Sequence, residues 1–564
     1  MTASRILPGT GRGPVLAMQT GLSFWGGVDP DSGRVIDAQH PACGEAMAGR
    51  VVLMPNSRGS CSGSGTMLEL ALNGCAPAAL IFAEPEDVAT LGALIAALVF
   101  DRPVPVLRAG PKAFTRLSRC DSIEITEDAI IGHGADPVTL PLTEPAQPEP
   151  ALSPADRSML AGEAGPAAAL AMQVILRMAR LQGASRLIDV TRGHVDGTIL
   201  ANQANLIFAE KLAAMGAQVR IPTTVNAISV DRQNWQRQGV PPVFGGQAAR
   251  LADAYTAMGC RPSFTCAPYQ LDDLPKAGEM IAWAESNAVV YANTVLGART
   301  PKHPDYLDLC IALTGRAPLA GVYLDAARRP GCVLQIDAPD AADDALWPLV
   351  GHLAGLLSPD AVPLLRGLEG LSPSTDDLRA ICAAFGTTSA APMLHVAGVT
   401  PEADLPPLPD APHHAVSRDD LARAWQSLNH GPDRVDLVAI GSPHASAREC
   451  RRLAALLDGQ RVQVPTIVTT GRGVIAQLAD GTAEALHKAG VQLLPDLCWC
   501  SMTEPVFPPD TTAVMTNSGK YAHYGPGLSG RKLRFGSLRD CAQAALTGRA
   551  ADLPDWLRAH ERTP

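Results

Sequence analysis

An apolar run of four residues, Val51-Val52-Leu53-Met54, leads directly into Pro55-Asn56-Ser57-Arg58-Gly59-Ser60-Cys61-Ser62-Gly63-Ser64-Gly65, and then into Met67-Leu68-Glu69-Leu70-Ala71-Leu72. The first segment reads as a buried strand and the last as a helix. Strand, Gly/Ser loop, helix is the building unit of α/β proteins, and it constrains the fold more than any other feature of the chain. Loops of this kind gather backbone N–H groups and hydroxyls where an anion is stabilised. This one carries Ser57, Ser60, Ser62 and Ser64 together with Arg58. The arginine could pair with a carboxylate, and a serine alkoxide could move a proton. No Gly-Lys-Ser/Thr follows, so it is not a nucleotide-binding Walker loop. Taken alone, a small-residue turn without chemistry accounts for it equally well.

The same alternation continues along the chain. Residues 79–82, 104–107 and 122–125 read as further strands before a Pro/Glu-rich stretch, 141–156, whose composition predicts a stiff extended linker. Beyond it, 163–182 reads as a helix, and 187–190, 435–440, 462–468 and 491–494 read as strands separated by helices. A second proline-rich patch, 401–412, predicts a loop or subdomain boundary. The expected fold class is therefore multidomain α/β with parallel sheets, whose ligands sit at the carboxyl ends of strands. The 564 residues leave room for two to four domains.

Charge narrows the partners. The net charge is −10, and no long basic run occurs. Nucleic acid and an anionic membrane surface are excluded on that ground. There is no apolar run of about 18 residues and no apolar core of a signal peptide near Met1, so a cytoplasmic chain without a membrane span is expected. The 13 cysteines are scattered. An odd count in such a chain argues against a disulfide framework; most should be buried small hydrophobes and a few could ligate a metal.

Several polar clusters sit where a core would want apolar residues. His194 and Asp196 follow a strand and could bind substrate or trade protons. Thr223 and Asn226, in Pro222-Thr223-Thr224-Val225-Asn226, are placed similarly. Cys266 lies in Thr265-Cys266-Ala267-Pro268-Tyr269, a good setting for an iron–sulfur ligand. Ser286 and Asn287 open a polar–apolar segment that ends near Arg299, a second candidate anion contact. Cys498-Trp499-Cys500 follows another strand, and Lys520 closes Met515-Thr516-Asn517-Ser518-Gly519-Lys520 as a candidate carboxylate partner.

Taken in order, these blocks resemble the aconitase X family. The serine loop is similar to the family's swivel domain. Residues 191–197, 222–226, 265–269, 285–300 with 314–316, 398–402, 441–444, 496–498 and 515–520 are similar to its large portion. The resemblance implies a swivel domain over 1–140, a linker over 141–156 and a catalytic portion over 157–564, subdivided near 401–415. One polypeptide carrying both parts resembles the fused bacterial members rather than the two-subunit archaeal ones.

That resemblance implies a hydro-lyase. The fused members dehydrate cis-3-hydroxy-L-proline to Δ1-pyrroline-2-carboxylate through an enamine, and the archaeal ones dehydrate mevalonate 5-phosphate. An iron or iron–sulfur Lewis acid and a serine base are implied, with a small hydroxy amino acid as substrate and a monomer or small homo-oligomer as the assembly. By position the base is Ser60, with Ser62 as a neighbouring candidate and Arg58 beside them. Ser64, His194, Asp196, Thr223, Asn226, Ser286, Asn287 and Lys520 are implied on the substrate. Cys266, Ser442 and Cys498 fall at the metal-ligand positions. Ser442 departs from the family pattern, which has cysteine there, and a serine is a hard ligand for iron–sulfur chemistry. Three explanations stand: another cysteine (Cys500, Cys310 or Cys61) completes the site; a smaller 2Fe–2S centre takes the substitute; or the centre is absent. The reading taken is 2Fe–2S, with mononuclear iron or 4Fe–4S as alternatives. Two other functions stay open: a lyase or isomerase of another hydroxy acid, and a metal-free binding protein.

Overall fold

The computed structural model of the chain describes residues 2–37, 40–58, 60–144, 149–339 and 341–558. Its N-terminal part is a closed barrel of eight strands. Around the barrel they run Ala3–Leu7, Val138–Thr143, Ala129–His133, Ser122–Ile125, Gly11–Ala17, Val51–Met54, Ala79–Phe82 and Val106–Ala109. The period-two geometry of a strand explains why Val51–Met54 is apolar at every position. Val51 and Leu53 fill the barrel interior with Ile81 and Leu107. Val52 and Met54 point outward with Leu80 and Phe82, into a core shared with the helices that cover the barrel. Those helices are Gly63–Leu72 and Val88–Phe100.

The outer core does not stop at the barrel. Leu91 and Leu94 of the Val88–Phe100 helix belong to the same cluster as Met172, Ile175 and Met178 of the helix Pro166–Leu181. The serine-loop domain is thus seated on the rest of the chain through a continuous apolar face. Polar contacts pin it further. Glu69 accepts the Ala204 N–H at the start of the helix Gln203–Ala214, and Gln182 donates to Asp87 at 2.7 Å.

The rest of the chain is built on parallel sheets. Gly193–Val195 lies between Thr223–Val225 and Ala282–Trp283. A four-stranded sheet runs His395–Val396, Pro363–Arg366, Cys332–Ile336 and His413–Val416. A five-stranded sheet runs Val491–Pro495, Thr466–Thr470, Leu437–Ala445, Ala513–Thr516 and Lys532–Phe535. All pairings in these three sheets are parallel, as the alternation predicts.

Two expectations about the connections need correction. The stretch 141–156 is not one extended linker: Val138–Thr143 completes the barrel, and Pro154–Leu160 is already helical. The helix starts there because Ser153 and Asp156 form a capping box around Pro154 at the first helical position. Residues 145–148 of that stretch lie outside the described residues, as does Gly59 of the serine loop. Of the two readings of the patch 401–412 the loop holds and the subdivision does not: it is a loop inside the four-stranded sheet, delivering His413–Val416 to pair with Cys332–Ile336. The strand expected at 104–107 is found at Val106–Ala109; Pro103 and Pro105 carry no N–H to donate to a ladder.

Candidate active site

The structure separates the four serines of the loop. Ser57 donates to Glu86, and Ser64, fully buried in the helix, donates to the Cys61 carbonyl at 3.3 Å. Ser60 and Ser62 remain half-buried at the start of the Gly63–Leu72 helix, with their hydroxyl oxygens 3.3 Å apart. The Ser62 N–H also donates to Ser60 Oγ at 3.3 Å. The Arg58 side chain is exposed and has no ion-pair partner among the described residues.

The loop rests on Asp305. The Asp305 N–H reaches the Cys61 carbonyl at 3.4 Å, and the Ser62 hydroxyl lies close enough to the Asp305 carboxyl to favour its charged form. Around Asp305 stand three more carboxyls. Asp308 accepts the Asp196 N–H and the Leu309 N–H, both at 2.7 Å. Asp196 is held by the Asn226 amide and stays half-buried. Glu285 pairs with Lys520 at 2.5 Å. Burial, followed by the charge of Asp308, pushes Asp305 up to about 8. Burial pushes Asp308 up to about 6 against its N–H partners, and burial with the Asp305 charge holds Asp196 well above the usual carboxylate range. Sequence reasoning missed Asp305, Asp308 and the role of Glu285. The available signal was the polar run 299–305 between two apolar helices, which turns out to be largely buried.

Lys302 adjoins this cluster and donates to the Gly386 and Ser389 carbonyls at 3.2 and 2.7 Å. Burial lowers its pKa to about 8 despite the nearby Cys61 and Glu285. Lys520, expected as a carboxylate partner, is engaged by Glu285. Glu285 also caps the helix Ser286–Thr294 by accepting the Ala288 N–H at 3.1 Å.

On the other side of Lys520 lie three thiols. Cys266, Cys498 and Cys500 adjoin one another. Backbone N–H groups support two of them: His444 N–H points at Cys266 Sγ at 3.3 Å and Cys500 N–H at Cys498 Sγ at 3.4 Å. The neighbouring Cys266 thiol, then that of Cys500, and the Lys520 charge hold Cys498 well below the usual thiol range. Burial and the Cys498 contact raise Cys266. His444, fully buried, bonds Thr265 Oγ1 through Nδ1 at 3.0 Å and donates from Nε2 to the Leu497 carbonyl at 2.6 Å. It thereby ties the Cys266 and Cys498 segments together. Ser442 is buried as well; its carbonyl accepts from Ser518, and its hydroxyl has no hydrogen-bond partner among the described residues.

The remaining predicted residues mostly support this arrangement. Asn287 donates to the Cys266 carbonyl at 2.9 Å and accepts from Tyr269 at 2.6 Å. Thr223 is buried and donates to the Ile221 carbonyl at 2.9 Å, and Ser286 is half-buried at the first position of its helix. His194 bonds Thr224 Oγ1 at 2.8 Å; burial lowers it to about 3, so it is neutral at physiological pH. Arg299 and Arg316 are consumed by carboxylates, Arg299 by Asp325 at 2.5 Å and Arg316 by Asp156 at 2.7 Å.

The segments bearing these groups leave parallel strands at their carboxyl ends: Asp196 after Gly193–Val195, Asn226 after Thr223–Val225, Cys498 after Val491–Pro495 and Lys520 after Ala513–Thr516. Three segments of the site, those of Cys266, Asp305 and Cys498, carry a non-glycine residue in the left-handed region. Phe264 lies two residues before Cys266, Tyr306 directly after Asp305 and Asp496 two before Cys498, with φ of 40°, 82° and 70°. Such backbone costs about 1–3 kcal/mol per residue and persists only where its surroundings over-determine it. Here Arg472 and the Arg232 N–H clamp Asp496, and Asn205 with the Phe208 ring holds Tyr306.

Among the described residues no three His, Cys, Asp or Glu side chains are set around a single point as a metal-ion shell. The donor set nevertheless suits an iron–sulfur cluster, whose irons are met by separate soft thiolates. Three adjoining thiols, two of them oriented by N–H groups, supply that chemistry, and the orphaned Ser442 hydroxyl leaves one further buried oxygen without a role.

Comparison with known proteins accounts for nearly the whole chain. Family models match as the aconitase X swivel domain over residues 1–132, the first domain over 149–326, the second over 330–426 and the third over 435–547. A Pseudomonas aeruginosa protein named cis-3-hydroxy-L-proline dehydratase is 48% identical, over 98% of this chain and 97% of its own. A Hypocrea jecorina protein of the same name is 45% identical, over 96% and 94%. The solved holo-form of Thermococcus kodakaraensis aconitase X superposes with a TM-score of 0.64 at 29% identity, covering 70% of this chain and all of that one.

Proposed function

The chain belongs to the aconitase X family, and on that premise we propose that it dehydrates cis-3-hydroxy-L-proline to Δ1-pyrroline-2-carboxylate. The observation that carries this reading is the near full-length identity to proteins of that name. The docking of the Ser60–Ser62 loop on the carboxyl-and-thiol cluster, which joins the two parts in one site, supports it.

The reaction removes the C2 proton and the C3 hydroxide to leave an enamine, which tautomerises to the imine. In this reading Ser60 Oγ takes the proton. An alkoxide is a strong base that needs help to form. The positive end of the Gly63–Leu72 helix, the Ser62 N–H and the Arg58 guanidinium all lie at the loop and favour negative charge there. Arg58, exposed at the loop, meets the substrate carboxylate. Cys266, Cys498 and Cys500 would hold an iron–sulfur centre, 2Fe–2S in this reading, and Ser442 is not needed as a ligand. The centre, when bound, supplies a Lewis acid for the leaving hydroxyl. Seating of the swivel over the cluster excludes water from the enamine.

A phosphorylated hydroxy acid would want free arginines near the loop. Arg299 and Arg316 are both spent on carboxylates, which leaves Arg58, among the described residues, as the unpaired arginine at the loop and disfavours that alternative.

The test is turnover by anaerobically purified protein with cis-3-hydroxy-L-proline, its trans isomer, trans-4-hydroxy-L-proline and mevalonate 5-phosphate. Pyrroline formation from the first alone is expected. Turnover of mevalonate 5-phosphate without any hydroxyproline would overturn the proposal.

A further inference from the structure

Asp196, Asp305 and Asp308 form a buried acidic group for which the described residues provide no counter-ion. The two lysines nearby are committed elsewhere, Lys520 to Glu285 and Lys302 to two carbonyls. Asp308 is fully used, since its oxygens accept the Asp196 and Leu309 N–H groups. Asp305 is not. It is 1% exposed, yet its Oδ1 has no hydrogen-bond partner among the described residues. A buried carboxylate oxygen left unpaired is costly, and a cation that hydrogen-bonds to it removes the cost. The group does not form a metal-ion shell either.

The position of Asp305 says which cation. It stands under the serine loop, joined to the Cys61 carbonyl through its N–H and with its carboxyl near the Ser62 hydroxyl. Asp196 faces it, feels its charge more than any other, and is open enough to meet a ligand. In an α-amino acid the nitrogen is one bond from the carbon that loses its proton. A nitrogen held at Asp305 therefore brings that C–H beside Ser60 and Ser62. We propose that Asp305, with Asp196, binds the protonated ring amine of the substrate and so selects a cyclic amino acid over a hydroxy acid that lacks a cationic nitrogen. This rests on the hydroxyproline reading above. The raised pKa values of both carboxyls agree with it, because a site short of positive charge holds protons until a cation replaces them.

The test compares two rings that differ only in charge at this atom: L-proline, and (S)-tetrahydrofuran-2-carboxylate, whose ether oxygen stands in for the amine. Binding of each to the full-length protein is measured by calorimetry. The wild type should bind L-proline at least about tenfold more tightly, the value of one charge-assisted hydrogen bond. Asp305→Asn should erase that preference by weakening L-proline alone. If Asp305→Asn melts early, Asp196→Asn provides the same comparison at a half-buried position. An unchanged preference in whichever variant remains folded overturns the inference, as does a wild type that binds both rings equally. Turnover of cis-3-hydroxy-L-proline by the wild type is scored separately. Turnover with an unchanged preference sinks this inference alone, whereas no turnover with an amine preference that Asp305→Asn erases sinks only the hydroxyproline reading.

Discussion

Lys520 Nζ lies 2.5 Å from Glu285 Oε1, with both side chains almost wholly out of solvent. The pair joins the five-stranded sheet's Ala513–Thr516 segment to the helix start at Ser286, between the thiols and the carboxyl group. Breaking a buried pair from one side leaves an uncompensated charge and costs about 3–5 kcal/mol. Lys520→Met should therefore lower the midpoint of denaturant unfolding sharply. The double variant Lys520→Met/Glu285→Gln should recover much of the loss, since the glutamine still caps the helix. Equal stability of the single and double variants would show that the pair contributes no coupling.

Only Ser60 and Ser62 of the loop have hydroxyls that are not tied to a glutamate or held inside the helix. Ser60→Ala should keep the fold, by circular dichroism, and lower kcat by roughly 10²- to 10⁴-fold, as for loss of a general base. Ser64→Ala removes a bond to the Cys61 carbonyl and should act through stability instead. Near-normal turnover in Ser60→Ala with a dead Ser62→Ala would move the base to Ser62.

Iron content distinguishes site thiols from packing thiols. Cys266→Ala, Cys498→Ala and Cys500→Ala should each lose iron. Cys332→Ala and Cys541→Ala should keep it, because those side chains lie in apolar clusters away from the three thiols. A Cys500→Ala protein with full iron would return Ser442 to consideration as a ligand.

Stability should fall as pH rises. Asp305 has a folded pKa of about 8, against 3.8 for an unperturbed carboxyl. Between those values the folded chain keeps a proton that the unfolded chain has released, so stability present near pH 4 is lost toward pH 8. Asp308, Asp196 and Glu285 face Asp305 and steepen the trend, while the Ser62 hydroxyl opposes it. Asp305→Asn should flatten the dependence of Tm on pH between 5 and 8. An unchanged slope would mean that Asp305 does not titrate in this window.

Gly65 marks how closely the swivel approaches. A β-carbon there would stand 2.7 Å from Asn205 Oδ1 and 3.2 Å from the Tyr306 hydroxyl. Gly65→Val should push Tyr306, and with it Asp305, away from the loop. Activity should fall well below wild type while the barrel stays folded, and small-angle scattering should show a more extended particle. A compact, fully active variant would mean that the interface yields without consequence.

The chain's own pattern determined the α/β alternation, the parallel sheets, the serine loop on its strand and helix, and the placing of candidate residues after strand ends. These are local properties: four apolar residues in a row, a Gly/Ser run, a helix-forming segment. The barrel was not legible, because closure depends on Ala3–Leu7 pairing with both Val106–Ala109 and Val138–Thr143, far away in sequence. The Ser153 cap was hidden for another reason: proline-rich composition reads as extended, although Pro154 suits a first helical turn. Only the tertiary structure set Ser60 and Ser62 apart from Ser57 and Ser64, since their partners are Glu86 and a backbone carbonyl. It alone brought Cys266 to Cys498 and Cys500, paired Lys520 with Glu285, and put Asp305 under the loop. The physical reason is common to all of these. A residue's chemistry is set by burial and by which groups pack around it, and packing brings together side chains, some of them hundreds of positions apart, that carry no mark of each other in the sequence.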